Sequence, residues 1–154
     1  MEKQDFYTFR EYMNRVNKHL TATMEDYLEM VYRLSRENGY TRMHELADAL
    51  NVHAPAATRM VQRLAELGLI KYQKYGVLAL EEAGREIGAS LYARHQTVED
   101  FLKILGVKEE NLLEETEKVE HTISADTLQC ILTFLEYCQT NPGFLVEYKA
   151  FPGI

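Results

Sequence analysis

The chain has no tryptophan, two cysteines, three prolines and eight glycines in 154 residues. So little proline and glycine excludes a collagenous or low-complexity chain. Cys130 and Cys138 stand eight apart in a stretch of helical period, about 12 Å along a helix axis and too far for a disulfide. Neither belongs to a Cys-x-x-Cys pair, so no disulfide framework or cysteine-type zinc site is expected, and both read as small core residues. No apolar run approaches the ~18 residues of a membrane span. The start, Met1-Glu2-Lys3-Gln4-Asp5, lacks the basic and apolar regions of a signal peptide. The expectation is a soluble cytoplasmic chain with no membrane partner. What is present, 46% apolar and 27% charged residues, is ordinary globular usage, enough for one domain or two small ones.

Positive charge is also in short supply, with a formal net charge of −7, which at first argues against nucleic acid. The distribution reverses that. Residues 31–95 hold nine basic against seven acidic side chains, whereas residues 96–154 hold four against eleven. The acid is concentrated in the last third, and the basic middle is free to dock on phosphate. This split is a first signal of a domain boundary.

Phe6, Phe9, Met13, Val16 and Leu20 follow a 3-4-3-4 spacing, the stripe of a short amphipathic helix. Thr23, with Asp26 three residues later, reads as the cap of a second helix running to about Glu37 and ended by Asn38-Gly39. A short helix over Met43–Leu50 follows, with Leu46, Ala47 and Leu50 apolar. Pro55 suits the first turn of a helix that runs to about Glu66 and is closed by Gly68. Leu69–Leu80, with Ile70, Tyr72, Leu78 and Leu80 apolar and Tyr75-Gly76 between the halves, predicts a two-stranded hairpin. Helical period returns over Ala83–Leu105, where Ile87, Leu91, Val98, Phe101, Leu102 and Leu105 face inward. Helices over Glu109–His121 and from Ser124 to about Cys138 complete the pattern. Asn141-Pro142-Gly143 breaks the last of these, and the apolar tail Phe144–Ile154 has no assignment.

Helix, helix, turn, helix and hairpin is the order of a winged helix-turn-helix, in which one helix enters the major groove and a basic wing reaches the backbone or minor groove. In the helix over Ala54–Glu66, Ala57, Met60, Val61 and Leu64 form the core side. Pro55, Ala56, Thr58, Arg59, Gln62 and Arg63 are left outside. Arg59, Gln62 and Arg63 carry donors suited to base edges and phosphates. The Ala-Pro-Ala-Ala start has no side-chain donors, so much of the specificity is expected from DNA shape. Lys71, Lys74 and Tyr75 place the wing contacts. The competing explanation is a three-helix cluster with a solvated basic face.

A second constellation is acidic and contains histidine. Asp26 and Glu29 share a helix face at i, i+3. Glu117, Glu120 and His121 share another at i, i+3, i+4, and His95 and Glu99 share a third. Oxygen-rich sets with one or two imidazoles suit divalent first-row metals. Each piece also has a structural explanation. Asp26 can cap its helix, Glu29 can pair with Arg33, His95 can be a satisfied core histidine, and Glu117 and Glu120 can form a solvated face.

The stretch from Thr23 to Tyr32, then Val52-His53, Met60-Val61-Gln62, Lys74-Tyr75, Arg94-His95 and Glu117-Lys-Val-Glu-His121 resembles the diphtheria-toxin-repressor family. The likeness is greatest to its short manganese-transport-regulator branch, and it covers roughly residues 23–138. It implies a dimeric, metal-activated winged-helix repressor of metal-uptake genes that binds operator DNA and holds a pair of Mn²⁺ ions per subunit. Carried over residue by residue, the implied ligands are Asp26, Glu29, His95, Glu117, Glu120 and His121, with Glu117 and Glu120 shared between the ions. In the iron-responsive branch the positions of Asp26 and Glu117 hold methionine and cysteine. Hard carboxylates at both favour Mn²⁺ through coordination preference, with Fe²⁺, Co²⁺, Cd²⁺ and Zn²⁺ as possible occupants of the same site. An ancillary site of that branch uses the positions of His95 and Glu99 with a second histidine. That position is Leu113 here, so the ancillary site is incomplete.

The resulting expectation is a mainly α chain without an SH3-like third domain. Residues 1–80 would form the winged helix-turn-helix domain, with a helical extension over 1–22, and residues 81–154 a helical metal-binding and dimerisation domain. No catalytic residue and no small organic substrate are expected. Two other functions remain in play: a two-metal carboxylate-site hydrolase, and a winged-helix regulator that senses an organic ligand.

Overall fold

A computed structural model describes residues 20–153. Of the N-terminal stripe, Phe6, Phe9, Met13 and Val16 lie outside the described residues. The chain divides into two compact units between Tyr92 and Ala93, a point inside one long helix. No helix among the described residues is long and apolar enough to cross a membrane.

The first unit contains α1 (Ala22–Ser35), β1 (Thr41–Arg42), α2 (Met43–Ala49), α3 (Ala54–Glu66), β2 (Ile70–Tyr72), β3 (Val77–Leu80) and the start of α4 (Glu82–Leu105). Thr21, not Thr23, caps α1. Its extended backbone lets the hydroxyl accept from the Met24 amide at 3.2 Å. Asp26 therefore lies beyond the capping position, in the body of the helix, and α1 ends at Ser35, two residues before the expected Glu37.

The expected hairpin is present, but it belongs to a three-stranded antiparallel sheet of order β1-β3-β2. The extra strand pairs Thr41 with Leu78 and Arg42 with Val77. Two residues carry no periodicity, which is why this strand has no sequence signature. The Thr41 hydroxyl and the Arg42 amide both donate to Glu45 Oε2 at 2.8 Å, tying β1 to the first turn of α2. Those two bonds hold the Glu45 carboxyl below the usual carboxylate range.

Leu28, Val31, Leu46, Ala57, Val61, Leu64, Leu78, Ile87 and Leu91 are fully enclosed in one apolar core. Each large side chain there contributes about 1.5–3 kcal/mol of burial. Met60, expected in the core, is half-buried against it. Two glycines let α4 pack closely. A Cβ on Gly84 would sit 1.9 Å from the Leu69 carbonyl oxygen, and one on Gly88 would sit 2.8 Å from Tyr32 Cβ.

The second unit comprises the remainder of α4, α5 (Glu109–Glu120), α6 (Ala125–Thr140) and α7 (Pro142–Ala150). Ser124 caps α6 by accepting from the Thr127 amide at 3.1 Å. The apolar core here is small: Val98, Leu102 and Leu112, with Phe101, Val107, Val119, Ile123 and Leu128 half-buried around it. The unassigned tail is largely helical. Pro142 ends α6 and opens α7, where its missing N–H is no loss. Phe134 stands edge-on to both Phe101 and Phe144, at 5.7 and 6.2 Å between centroids. The Tyr148 hydroxyl donates to the Leu105 carbonyl at 3.3 Å, satisfying one of the orphan acceptors at the end of α4.

Two core expectations fail in this unit. Leu105 is 41% exposed because α4 ends there and Gly106 turns away at φ 96°. Cys130 is exposed while Cys138 is buried. Eight residues rotate a helix by about 80° beyond two full turns, enough to carry one thiol to the solvent edge of the face that buries the other.

Candidate metal centre

The second unit gathers four of the expected metal ligands from two helices. His95 is 1% exposed on α4. Its Nδ1 lies 3.1 Å from Glu120 Oε1 and 3.6 Å from Glu117 Oε1, and its Nε2 lies 3.4 Å from Glu99 Oε2. Glu117 and Glu120 occupy one face of α5 at i, i+3, where side chains stack one turn above another. His121 follows as the C-cap residue, and its ring comes within 4.8 Å of a Glu117 oxygen. Its Nδ1 is 3.3 Å from Arg94 Nη2. Glu99 also accepts from Lys103, and this bond raises the lysine above its ordinary pKa.

Glu120 tests whether these residues suit a divalent cation. The residue is 0% exposed. One of its oxygens meets His95, while Oε2 is buried without a hydrogen-bond partner among the described residues. A carboxylate oxygen buried without a donor is strongly unfavourable, and a bound cation is one way to use its lone pair. The set of carboxylates and imidazoles around it is a donor set for first-row divalent ions. The residues fit the group.

In the first unit, Asp26 and Glu29 lie one turn apart on α1. Asp26 is half-buried and Glu29 is buried. Glu29 accepts from Arg33, the i, i+4 pairing foreseen from the sequence. The Arg33 guanidinium also lies 5.2 Å from the Tyr92 ring centroid. Because Thr21 caps α1, capping no longer explains Asp26. Leu113 is 63% exposed and offers no ligand atom, so the third position of an iron-type ancillary site is missing.

The residues expected to meet DNA are available on the first unit. On α3, Pro55, Arg59, Gln62 and Arg63 are exposed, and Ala56 and Thr58 are half-buried. On the wing, Lys71, Lys74 and Tyr75 are exposed, Tyr75 to 91%. Tyr75 also holds φ 63°, a left-handed conformation unfavourable for a bulky residue, next to Gly76 at φ 72°. Sequence reasoning missed Arg94 as a partner of His121. Its neighbour His95 points about 100° away around the helix, and nothing local in the sequence links it to a residue 27 positions on.

Residues 19–78 match a family model described as the iron-dependent repressor N-terminal DNA-binding domain. Residues 81–144 match the model described as the iron-dependent repressor metal-binding and dimerisation domain. The HTH-type transcriptional regulator MntR of Shouchella clausii is 41% identical over 121 residues, covering 79% of this chain and 85% of that protein. The MntR of Bacillus subtilis is 40% identical over 130 residues, covering 84% of this chain and 92% of that protein. Among solved structures, the manganese regulator SloR superposes with a TM-score of 0.65 at 32% identity over 74% of this chain. This chain spans 54% of that structure's length. Both family models, the relatives and the metal-suited side chains of α4 and α5 agree: the chain belongs to the iron-dependent (diphtheria-toxin) repressor family, in the branch of the manganese transport regulators.

Proposed function

We propose that this chain is a transcriptional repressor, activated by Mn²⁺, that binds operator DNA as a cytoplasmic homodimer and controls metal-uptake genes. The proposed ligands are Asp26, Glu29, His95, Glu117, Glu120 and His121, for about two ions per subunit. The carrying observation is the buried His95–Glu120 pair, whose Oε2 meets no donor among the described residues. When bound, a divalent cation supplies the positive charge that lets these carboxylates stay ionised side by side. Without it they repel one another. Asp26 and Glu29 fall within the DNA-binding family domain and the other four within the metal-binding one. Metal binding and DNA binding are then linked, each strengthening the other by the same factor.

On the DNA side, Arg59, Gln62 and Arg63 of α3 supply donors for base edges and phosphates, and Pro55, Ala56 and Thr58 supply close apolar and backbone contact. Lys71, Lys74 and Tyr75 reach the backbone from the wing. The hard oxygen donors select Mn²⁺ by coordination preference. Fe²⁺, Co²⁺, Zn²⁺ and Cd²⁺ suit the same donor types, and intrinsic affinity favours Zn²⁺ over Mn²⁺. Membership of a family of transcriptional regulators sets aside the two-metal hydrolase, and the buried donor set argues against an organic effector.

Equilibrium dialysis of the full chain against MnCl₂, with elemental analysis of the retained protein, tests this reading. About two manganese ions per subunit are expected. No retained manganese would overturn it.

A further inference from the structure

The imidazole of His121 already meets a cation carried by the chain. Arg94 Nη2 lies 3.3 Å from His121 Nδ1. A guanidinium is only a donor. In this contact Nδ1 therefore presents its lone pair, and the ring proton is on Nε2, which faces Glu120 Oε1 at 3.9 Å. A neutral imidazole has one lone pair and one N–H. Ligation through Nδ1 would use the lone pair that Arg94 occupies. Ligation through Nε2 would move the ring proton to Nδ1, where Arg94 offers nothing to accept it. By either route the Arg94–His121 bond has to break.

The arginine beside Glu29 is different in kind. A carboxylate has two oxygens and about four lone-pair positions, so Glu29 can hold Arg33 on one oxygen and a metal on the other. His121 has no such spare capacity. Arg94 is half-buried, so its bond to His121 is charge-assisted and only partly screened by water.

We infer that Arg94 is a built-in competitor for the metal, holding the His121 imidazole in the metal-free chain so that its release sets the Mn²⁺ concentration at which the site fills. The inference rests on the reading of His121 as a ligand. It makes the activation threshold a property of one residue outside the ligand set.

The test is the Mn²⁺ affinity of the full chain, without DNA, measured by competition with a fluorescent chelator. Arg94→Met removes the donor and keeps an unbranched chain of similar length. It should bind Mn²⁺ about tenfold more tightly, in line with loss of one charge-assisted hydrogen bond. Lys118→Gln is the charge control. Lys118 is exposed and pairs with Glu114 and Glu115, so its substitution removes the same charge from the residue that follows Glu117 in the chain. Its affinity should change by less than about threefold. Unchanged or weaker binding by R94M, or equal tightening in K118Q, would overturn the competitor role.

Long-range ¹H–¹⁵N correlation spectra of the metal-free wild-type chain give an answer that needs no variant. His121 should carry its proton on Nε2, with a lone-pair shift at Nδ1, and that pattern should change on adding diamagnetic Zn²⁺. A proton on Nδ1 before metal is added would contradict the inference. A wild-type chain that retains no manganese would instead sink the functional reading, so the two failures are distinguishable.

Discussion

The two units bury different kinds of side chain. In the first, the largest fully enclosed residues are Leu28, Leu46, Leu64, Leu78, Ile87 and Leu91, with Arg59, Gln62 and Arg63, the proposed DNA contacts, left in solvent. In the second, three apolar residues form the buried core cluster, while His95, Thr116 and Glu120 are almost completely enclosed. An apolar core gains stability from burial itself. A core containing a carboxylate and an imidazole gives up stability unless something pairs with them. The first unit also buries Glu25 and Glu29 on α1, but beside a large apolar core, whereas in the second unit polar side chains make up much of the interior.

The largest effect expected from breaking this contrast is in the first core. Leu64→Ala should lower the free energy of unfolding by about 2–5 kcal/mol in denaturant titrations. Added Mn²⁺ should raise wild type and variant by the same increment. A manganese increment that shrinks in the variant would mean that the apolar core and the site are not separable.

Next comes the second core. Glu120→Leu removes the buried Oε2 along with one proposed ligand. Its metal-free stability should stay within about 1 kcal/mol of wild type, because the relief at Oε2 offsets the hydrogen bond lost by His95. Its response to manganese should disappear. A wild-type site at a hundredfold excess of Mn²⁺ over Kd gains about 2.7 kcal/mol. A variant that keeps that gain would place the metal elsewhere.

The outward-facing unit predicts smaller, uniform changes. Lys74→Ala should weaken specific and random DNA alike and reduce the salt slope of log K by about 1, with manganese affinity unchanged. Loss confined to one sequence would make Lys74 a base reader. The smallest expected effect is at Glu45. Its folded carboxyl titrates below the usual range because Thr41 and Arg42 donate to it. That contribution is complete above the unfolded-state pKa and is lost as pH falls through the lower folded-state value. In acid titrations Glu45→Gln should therefore narrow its stability deficit as pH drops. A deficit constant with pH would remove the link.

Much of this was legible because the signals are local. Pro55 and Gly68 bracket α3, Ser124 opens α6, and the i, i+3, i+4 spacing of Glu117, Glu120 and His121 predicts a shared face that the structure bears out. Elements that depend on contacts distant in sequence were not legible. β1 exists because Thr41 and Arg42 pair with a strand 35 residues later. α7 exists because Phe144 and Tyr148 find Phe134 and the end of α4. Thr21 outcompeted Thr23 for the cap on backbone geometry alone, and two threonines so close together are not separable by type. Cys130 is exposed although its apolar character suggests a core residue, because helical phase and not residue type decides its burial. Arg94 was visible as a residue and invisible as a partner.

Metal held by this chain is expected to strengthen its grip on DNA. Fluorescence anisotropy with a labelled duplex, selected from random sequence by the manganese-loaded chain, measures it at fixed salt. Binding should be at least about tenfold tighter with saturating Mn²⁺ than after chelation, a coupling of about 1.4 kcal/mol. Equal affinity in the two conditions would contradict it.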